Sequence, residues 1–218
     1  MTPRIDAVVF DLDNTLIDSK VDFALMRARI NEYISKRDPD MSLEAPTTME
    51  LVARFVQRNH SKIEDDLRNL HLIMDETEIE SSIYANHLVD IAVVLGALAD
   101  MGVKLGLLTR SCERYSKLVL GESMSLFDAI SCRVPGKPAK PDPSALLEIA
   151  DTLGVEVEHL LLVGDHWIDG QCATSAGAHF LAVTTGSSSA EDLSRFSPIS
   201  VLDDLSALPE LLCELTTK

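Results

Sequence analysis

Five short apolar runs, "AVVF" (7–10), "VKLGLL" (103–108), "AISCRV" (129–134), "HLLLV" (159–163) and "FLAV" (180–183), constrain the fold more than any other feature of the chain. Apolar runs of this length, bounded by polar residues, read as strands of a parallel sheet buried on both faces. Helical patterns separate them. Leu88, Ile91, Val94, Leu95 and Leu98 repeat at helical spacing before Gly102, and Leu146, Leu147, Ile149, Ala150 and Leu153 do so before Gly154. Strands alternating with helices predict an α/β architecture, a doubly wound, Rossmann-like parallel sheet.

One segment breaks the alternation. From residue 17 to residue 87 no strand is legible, but helical patterns run over 20–36, over 48–59 with Leu51, Val52, Phe55 and Val56, and from 61 into the 80s. The loop "RDPDMSLEAPT" (37–47) carries both prolines of the segment and separates two of these helices. An insertion of about 70 residues after the first strand is the simplest account, because a strand-to-helix connection is normally far shorter. The expected division is a core of residues 1–16 and 88–218 with an all-helical cap of residues 17–87.

Composition narrows the function. With 218 residues and 46% apolar content the chain can bury a sizeable core, and a formal charge of −16 argues against binding to nucleic acid or an anionic membrane. A small phosphorylated ligand is not excluded, provided that a few local cations or a metal draw it in. Cys112, Cys132, Cys172 and Cys213 contain no C-x-x-C pair and read as reduced thiols. The stretch "MTPRIDAVVF" shows no basic region followed by a long apolar one, and no run reaches membrane-spanning length. The expectation is a soluble, cytoplasmic protein.

In a parallel sheet of this kind ligands bind beyond the carboxyl ends of the strands, so the polar residue closing each strand is informative. The first strand ends at Asp11, with Asp13 and Thr15 just after it; the second ends in "LLTRS" at Thr109. The basic stretch "GKPAKPDP" follows the third, and "VGDHWID" closes the fourth with Asp165 and Asp169. Each signal alone has an ordinary explanation: a D-x-D commonly forms a turn or caps a helix, and a lone lysine is commonly a solvated charge. Acids, a hydroxyl and an ammonium meeting at one edge in this order are much harder to obtain by chance.

On these residues the sequence resembles the haloacid dehalogenase superfamily, specifically its phosphatases with a helical cap after the first strand. The motifs are "DLDNT", Thr109, Lys140 in "KPDPSALLEIADTLGV", and "GDHWID", and the resemblance extends through "AGAHFLAVTTG" and "SPISVLDDLSALPELL". It implies that Asp11 attacks phosphorus to form an aspartyl phosphate, and that Asp13 acts as general acid and then base. It implies Mg2+ held by the Asp11 carboxylate, the Asp13 carbonyl and Asp165, with Asp169 in the outer sphere or bound through water. Thr109 would donate to a phosphoryl oxygen and Lys140, preferred over Lys137 by its distance from the following helix, would neutralise the transferred group. Asn14 stands where many relatives carry glycine and tolerates left-handed geometry.

The implied activity is Mg2+-dependent hydrolysis of a small phosphorylated metabolite, by analogy one of the phosphoglycolate type. Arg110 beside Thr109, and Arg54 and Arg58 one helical turn apart opposite an apolar helix face, are the further candidates for substrate contact. A phosphomutase of the same superfamily is the nearest alternative, and a non-catalytic phosphate-binding relative a more distant one. A dehalogenase needs neither Asp13 nor the acidic fourth motif, and a signalling receiver domain orders its acids differently.

Overall fold

The computed structural model describes residues 3–58 and 63–216. The chain opens with a strand Ala7–Phe10 (β1), a two-residue strand Ile17–Asp18 (β2), and the helices Phe23–Arg37 (α1), Thr48–Arg58 (α2) and Ile63–Ser81 (α3). A second two-residue strand, Asn86–His87 (β3), precedes the alternating part: Ile91–Asp100 (α4), Lys104–Leu108 (β4), Glu113–Leu120 (α5), Ala129–Ser131 (β5), Ser144–Leu153 (α6) and Leu160–Gly164 (β6). It continues through Trp167–Ala176 (α7), His179–Val183 (β7), Ala190–Ser194 (α8), Val201–Leu202 (β8) and Leu208–Thr216 (α9).

Six strands form one sheet in the order β5-β4-β1-β6-β7-β8, with every neighbouring pair parallel. Strand β1 lies between β4 and β6, so successive crossovers leave it in opposite directions and a crevice opens at its carboxyl end. Its four side chains are all fully buried and alternate between the two faces. Val8 and Phe10 join Leu105, Leu107, Leu161 and Val163 in the core beneath α4 and α9; Ala7 and Val9 join Leu160, Leu162, Ile149 and Leu153 in the core beneath α6 and α7. The doubly wound reading therefore holds, and the strand runs read from sequence agree with β1, β4, β6 and β7 to within a residue or two.

Three differences have physical causes. The run 129–134 pairs only over Ala129–Ser131, because Arg133 turns aside to acids described below. The segment 17–87 is not free of strands: β2 and β3 pair antiparallel, Ile17 with His87 and Asp18 with Asn86, and two residues are too few to show an alternation. Strand β8 adds the sixth strand at the edge beside β7, again with only two residues. The helical patterns of the insertion appear as α1, α2 and α3; residue 59 of the second pattern and residues 61 and 62 of the third lie outside the described residues. Among the described residues no helix is long and apolar enough to cross a membrane.

The insertion does not form a core of its own. Leu51, Phe55, Leu70 and Met74 from its helices belong to the same buried apolar cluster as Val8 and Phe10 of the sheet. Phe55→Ala is accordingly expected to cost about 3–5 kcal/mol, the usual loss for a buried phenylalanine. Trp167 is the only tryptophan and sits on α7 at the sheet, so its fluorescence and the helical circular dichroism should fall at one urea midpoint in wild type and variant alike.

Candidate active site

The site is assembled where the strands end. Asp11 follows β1 directly, and its N–H donates to the Val163 carbonyl at 2.9 Å, carrying the ladder one residue past the strand. Its carboxylate accepts from the Leu12 N–H at 2.7 Å and from Lys140 Nζ at 2.7 Å. Lys140 is buried and makes a second bond of 2.6 Å to Asp169. Asp165, just past β6, accepts from Thr15 Oγ1 at 2.9 Å. Asp169 occupies the first turn of α7, where its other oxygen accepts from the His166 N–H at 3.1 Å while the His166 ring accepts from the Ile168 N–H. A carboxylate in that position also faces the positive end of the helix dipole.

Asp13 accepts from Ser111 Oγ at 2.5 Å and from the Tyr115 hydroxyl at 3.1 Å. The turn that follows it places Asn14 at φ 58°, the left-handed geometry expected of this residue. Thr109, just past β4, donates its N–H to the Ser131 carbonyl and accepts from the Ser111 N–H at its Oγ1. A cavity of about 390 Å³ lies over this edge, and Asp11, Asp13, Arg110, Lys140, Asp165 and Asp169 all line it. Thr109 is buried behind that lining and does not form part of it. Lys137 is exposed and lines a different cavity, so it is Lys140 that the structure brings to Asp11.

Charge sets the character of this cavity. Burial raises the Asp11 carboxyl to about 6, against the lowering influence of Lys140, and raises Asp165 to about 8 with help from its acidic neighbours. Asp13 is raised for the same first reason, burial, with Ser111 opposing. Burial works against the charge on Lys140, but Asp11 and Asp169 outweigh it and hold the ammonium above its usual range. Carboxyl groups pushed upward in this way call for a cation. Asp11, Asp165 and Asp169 each present an oxygen within 4.8 Å of the others, which is an all-oxygen donor set suited to a hard divalent ion. The backbone makes room for it: a Cβ on Gly186 would stand 1.7 Å from Asp165 Oδ2, and one on Gly164 2.4 Å from Asp169 Cγ, so only glycine lets these carboxylates occupy their places.

The opposite wall comes from the insertion: Phe23, Met26, Met49 and Met74 face the cavity, with Glu78 beside them. Arg54 and Arg58 do not. Arg54 bonds the Glu44 carbonyl and Arg58 pairs with Asp38 at 2.7 Å, so both tie α2 to the loop before it, and neither is among the residues lining the cavity. Their position opposite an apolar helix face located them correctly on the exposed side of α2, but the returning loop, not substrate space, is what they meet. Cys112 caps α5 as a buried thiol that burial pushes up to about 12. His166 caps α7.

Several further residues at the site carry no clear signal in the sequence. Arg133 pairs with Asp75 and Glu78 of α3 and donates to the Arg110 carbonyl at 2.8 Å, and Glu78 accepts from the Cys112 N–H at 2.8 Å. In the sequence Arg133 falls inside the apolar run 129–134, and only the early end of β5 puts it two residues past a strand; nothing in the sequence separates Glu78 from the other acids of α3. Ser111 was visible in "LLTRS", whereas Tyr115 reads as an ordinary core aromatic.

A sequence profile for haloacid dehalogenase-like hydrolases matches residues 8–183. A phosphoglycolate phosphatase of Pseudomonas putida is 32% identical over 222 residues, covering 94% of this chain and 78% of the relative. Among solved structures, a hydrolase from Pseudomonas syringae superposes with a TM-score of 0.70 at 19% identity, covering 96% of this chain and 98% of that one. CbbY from Rhodobacter sphaeroides in complex with phosphate gives 0.65 at 19% identity, covering 94% and 96%. At these identities the structures establish a shared fold.

The Arg133 cluster yields a prediction about stability. Arg133→Ala leaves Glu78, 1% exposed, without its cation, and removal of one member of a buried pair costs about 3–5 kcal/mol. Urea titration should show that loss, and the double change Arg133→Met with Glu78→Leu should lose less than Arg133→Ala alone.

Proposed function

The chain belongs to the haloacid dehalogenase-like hydrolase family, and we propose that within it the protein is a phosphomonoester phosphatase acting through phosphorylation of Asp11. The observation that carries this reading is the Asp11 carboxylate itself, bonded to Lys140 at a cavity floor among Asp13, Asp165 and Asp169. Family membership and the naming of its curated relatives as phosphatases support it.

In this reading an Asp11 oxygen forms a bond to phosphorus as the ester P–O bond breaks. The electron pair of that bond stays on the leaving oxygen, which takes the proton of the Asp13 carboxyl. Asp13, now ionised, next accepts a proton from a water whose oxygen attacks phosphorus, and rupture of the bond to Asp11 returns the free carboxylate and inorganic phosphate. Lys140 offsets charge on the phosphoryl oxygens, and Arg110, which lines the cavity without an ion-pair partner within 4.0 Å among the described residues, adds a second cation there. Asp11 and Asp165, with Asp169 close behind, would hold the divalent cation, Mg2+ by the chemistry of the donors. When bound, that ion neutralises the carboxylates and permits an anionic group to approach an anionic nucleophile.

Residues 17–87 act in this reading as the cap over a core of 1–16 and 88–218, closing the cavity with Phe23, Met26, Met49 and Met74 and excluding water. The substrate is a small phosphorylated metabolite, met in the cytoplasm. Phosphoglycolate, for which the relatives are named, is the first compound to assay.

Asp11→Asn should abolish phosphate release and the acid-stable mass adduct of a phosphoryl group, and an adduct persisting on that variant would remove the mechanism. Lys140→Ala should lower kcat on the order of 10²-fold, the usual loss of one preorganised charged donor. EDTA should silence the enzyme, with Mg2+ restoring it and Ca2+ restoring it poorly, since a larger and looser coordination sphere misaligns the reacting groups. Assays with a hexose phosphate should release free phosphate; an isomerised sugar phosphate in its place would make the protein a mutase.

A further inference from the structure

Asp13 stands beyond the end of β1, after Leu12 and before the left-handed turn at Asn14, so the strand does not fix its side chain. Hydroxyl groups from a distant part of the chain do. Ser111 Oγ donates to one carboxylate oxygen at 2.5 Å and the Tyr115 hydroxyl donates to the other at 3.1 Å, from 98 and 102 residues away. Tyr115 is fully buried on α5, and its hydroxyl lies 3.3 Å from Ser19 Oγ, just past β2 where the insertion begins. Ser111 is itself immobilised, with its N–H on Thr109 Oγ1, its carbonyl accepting from the Arg133 N–H at 3.0 Å, and the next N–H on Glu78.

A carboxylate offers about four lone-pair positions, and these two donors occupy two of them. Ser19 also lowers the Asp13 carboxyl by hydrogen bonding, which still leaves a lone-pair position available to the cavity that both Asp13 and Ser111 line. Delivery of a proton requires the acid oxygen to stand within about 3 Å of the atom it serves, so a side chain free to rotate would lose most of its effect. We infer that Ser111 and Tyr115 are the positioning residues of Asp13: they hold its carboxyl at the one orientation from which it reaches the leaving-group oxygen.

This rests on the phosphatase reading and makes a demand that a purely structural role does not. An alkoxide leaves only with a proton, whereas 4-nitrophenolate leaves without one. The value of kcat/KM reports the steps through departure of that first leaving group. Tyr115→Phe and Ser111→Ala should therefore each lower the ratio of kcat/KM for phosphoglycolate to that for 4-nitrophenyl phosphate about tenfold or more, part of the 10²-fold or greater contribution of a general acid. Ser111→Thr, which keeps a hydroxyl, should restore the ratio.

An equal loss on both esters would mean that these hydroxyls support the fold or touch the phosphoryl group, and would overturn the inference while leaving the phosphatase reading in place. A ratio within about twofold of wild type in both variants would overturn it as well. Wild-type protein that cleaves neither ester would remove the phosphatase reading and this inference together. Because Tyr115 is a large buried side chain, Ser111→Ala, a loss of one oxygen at a buried residue that lines the cavity, serves as the independent arm should Tyr115→Phe unfold.

Discussion

Four carboxyl groups share one edge of one sheet, and most of what surrounds them offsets the cost of that crowding. Two unit charges 4 Å apart repel by about 4 kcal/mol at the effective dielectric of a partly buried site. Lys140 answers part of this by bonding Asp11 and Asp169 at once. The N-terminal turn of α7 answers another part through the His166 N–H and the helix dipole at Asp169. Thr15 serves Asp165, and two hydroxyls serve Asp13. Even so, Asp11 and Asp165 remain raised to about 6 and about 8, which is the electrostatic signature of a place built to receive positive charge.

The parallel sheet is what makes the crowding attainable. Strands β1, β4 and β6 all point the same way, so residues that close three separate runs arrive at one rim without any long loop to carry them. Close approach then depends on what the backbone lacks. Gly186 lets the segment after β7 pass directly over Asp165, and Gly164 leaves room behind Asp169. A methyl group at either would move a carboxylate.

This edge was the legible part of the sequence, because a strand's apolar run announces where it ends and the residue there is polar for a reason. Asp11, Asp13, Asp165 and Asp169 followed from that rule, which gave only the basic stretch 136–143 after the third run; the resemblance to the family's third motif separated Lys140 from Lys137. What failed to show were contacts between segments with no shared periodicity. Amphipathic spacing put Arg54 and Arg58 on the exposed side of α2 but said nothing of the loop that returns past them. Glu78 belongs to a helix crowded with acids, and only the fold shows that it alone meets both Arg133 and the Cys112 N–H. The pair β2 and β3 is too short for any pattern to form.

The Arg133 cluster bears on how the insertion and the sheet relate. Burying Glu78 raises its carboxyl, since desolvation opposes its charge more than Arg133 supports it, and replacing such a pair by apolar groups is often neutral for stability. Its value is therefore geometric. Arg133 and Glu78 between them hold the Arg110 carbonyl, the Ser111 carbonyl and the Cys112 N–H, which are successive polar groups of the loop that places Ser111 on Asp13. A side chain of α3 thus reaches across the cavity rim to the segment after β4. A division in which the insertion supplies only an apolar wall and the sheet supplies all polar order does not describe this molecule: the register of α3 and the position of Asp13 are set by one continuous network.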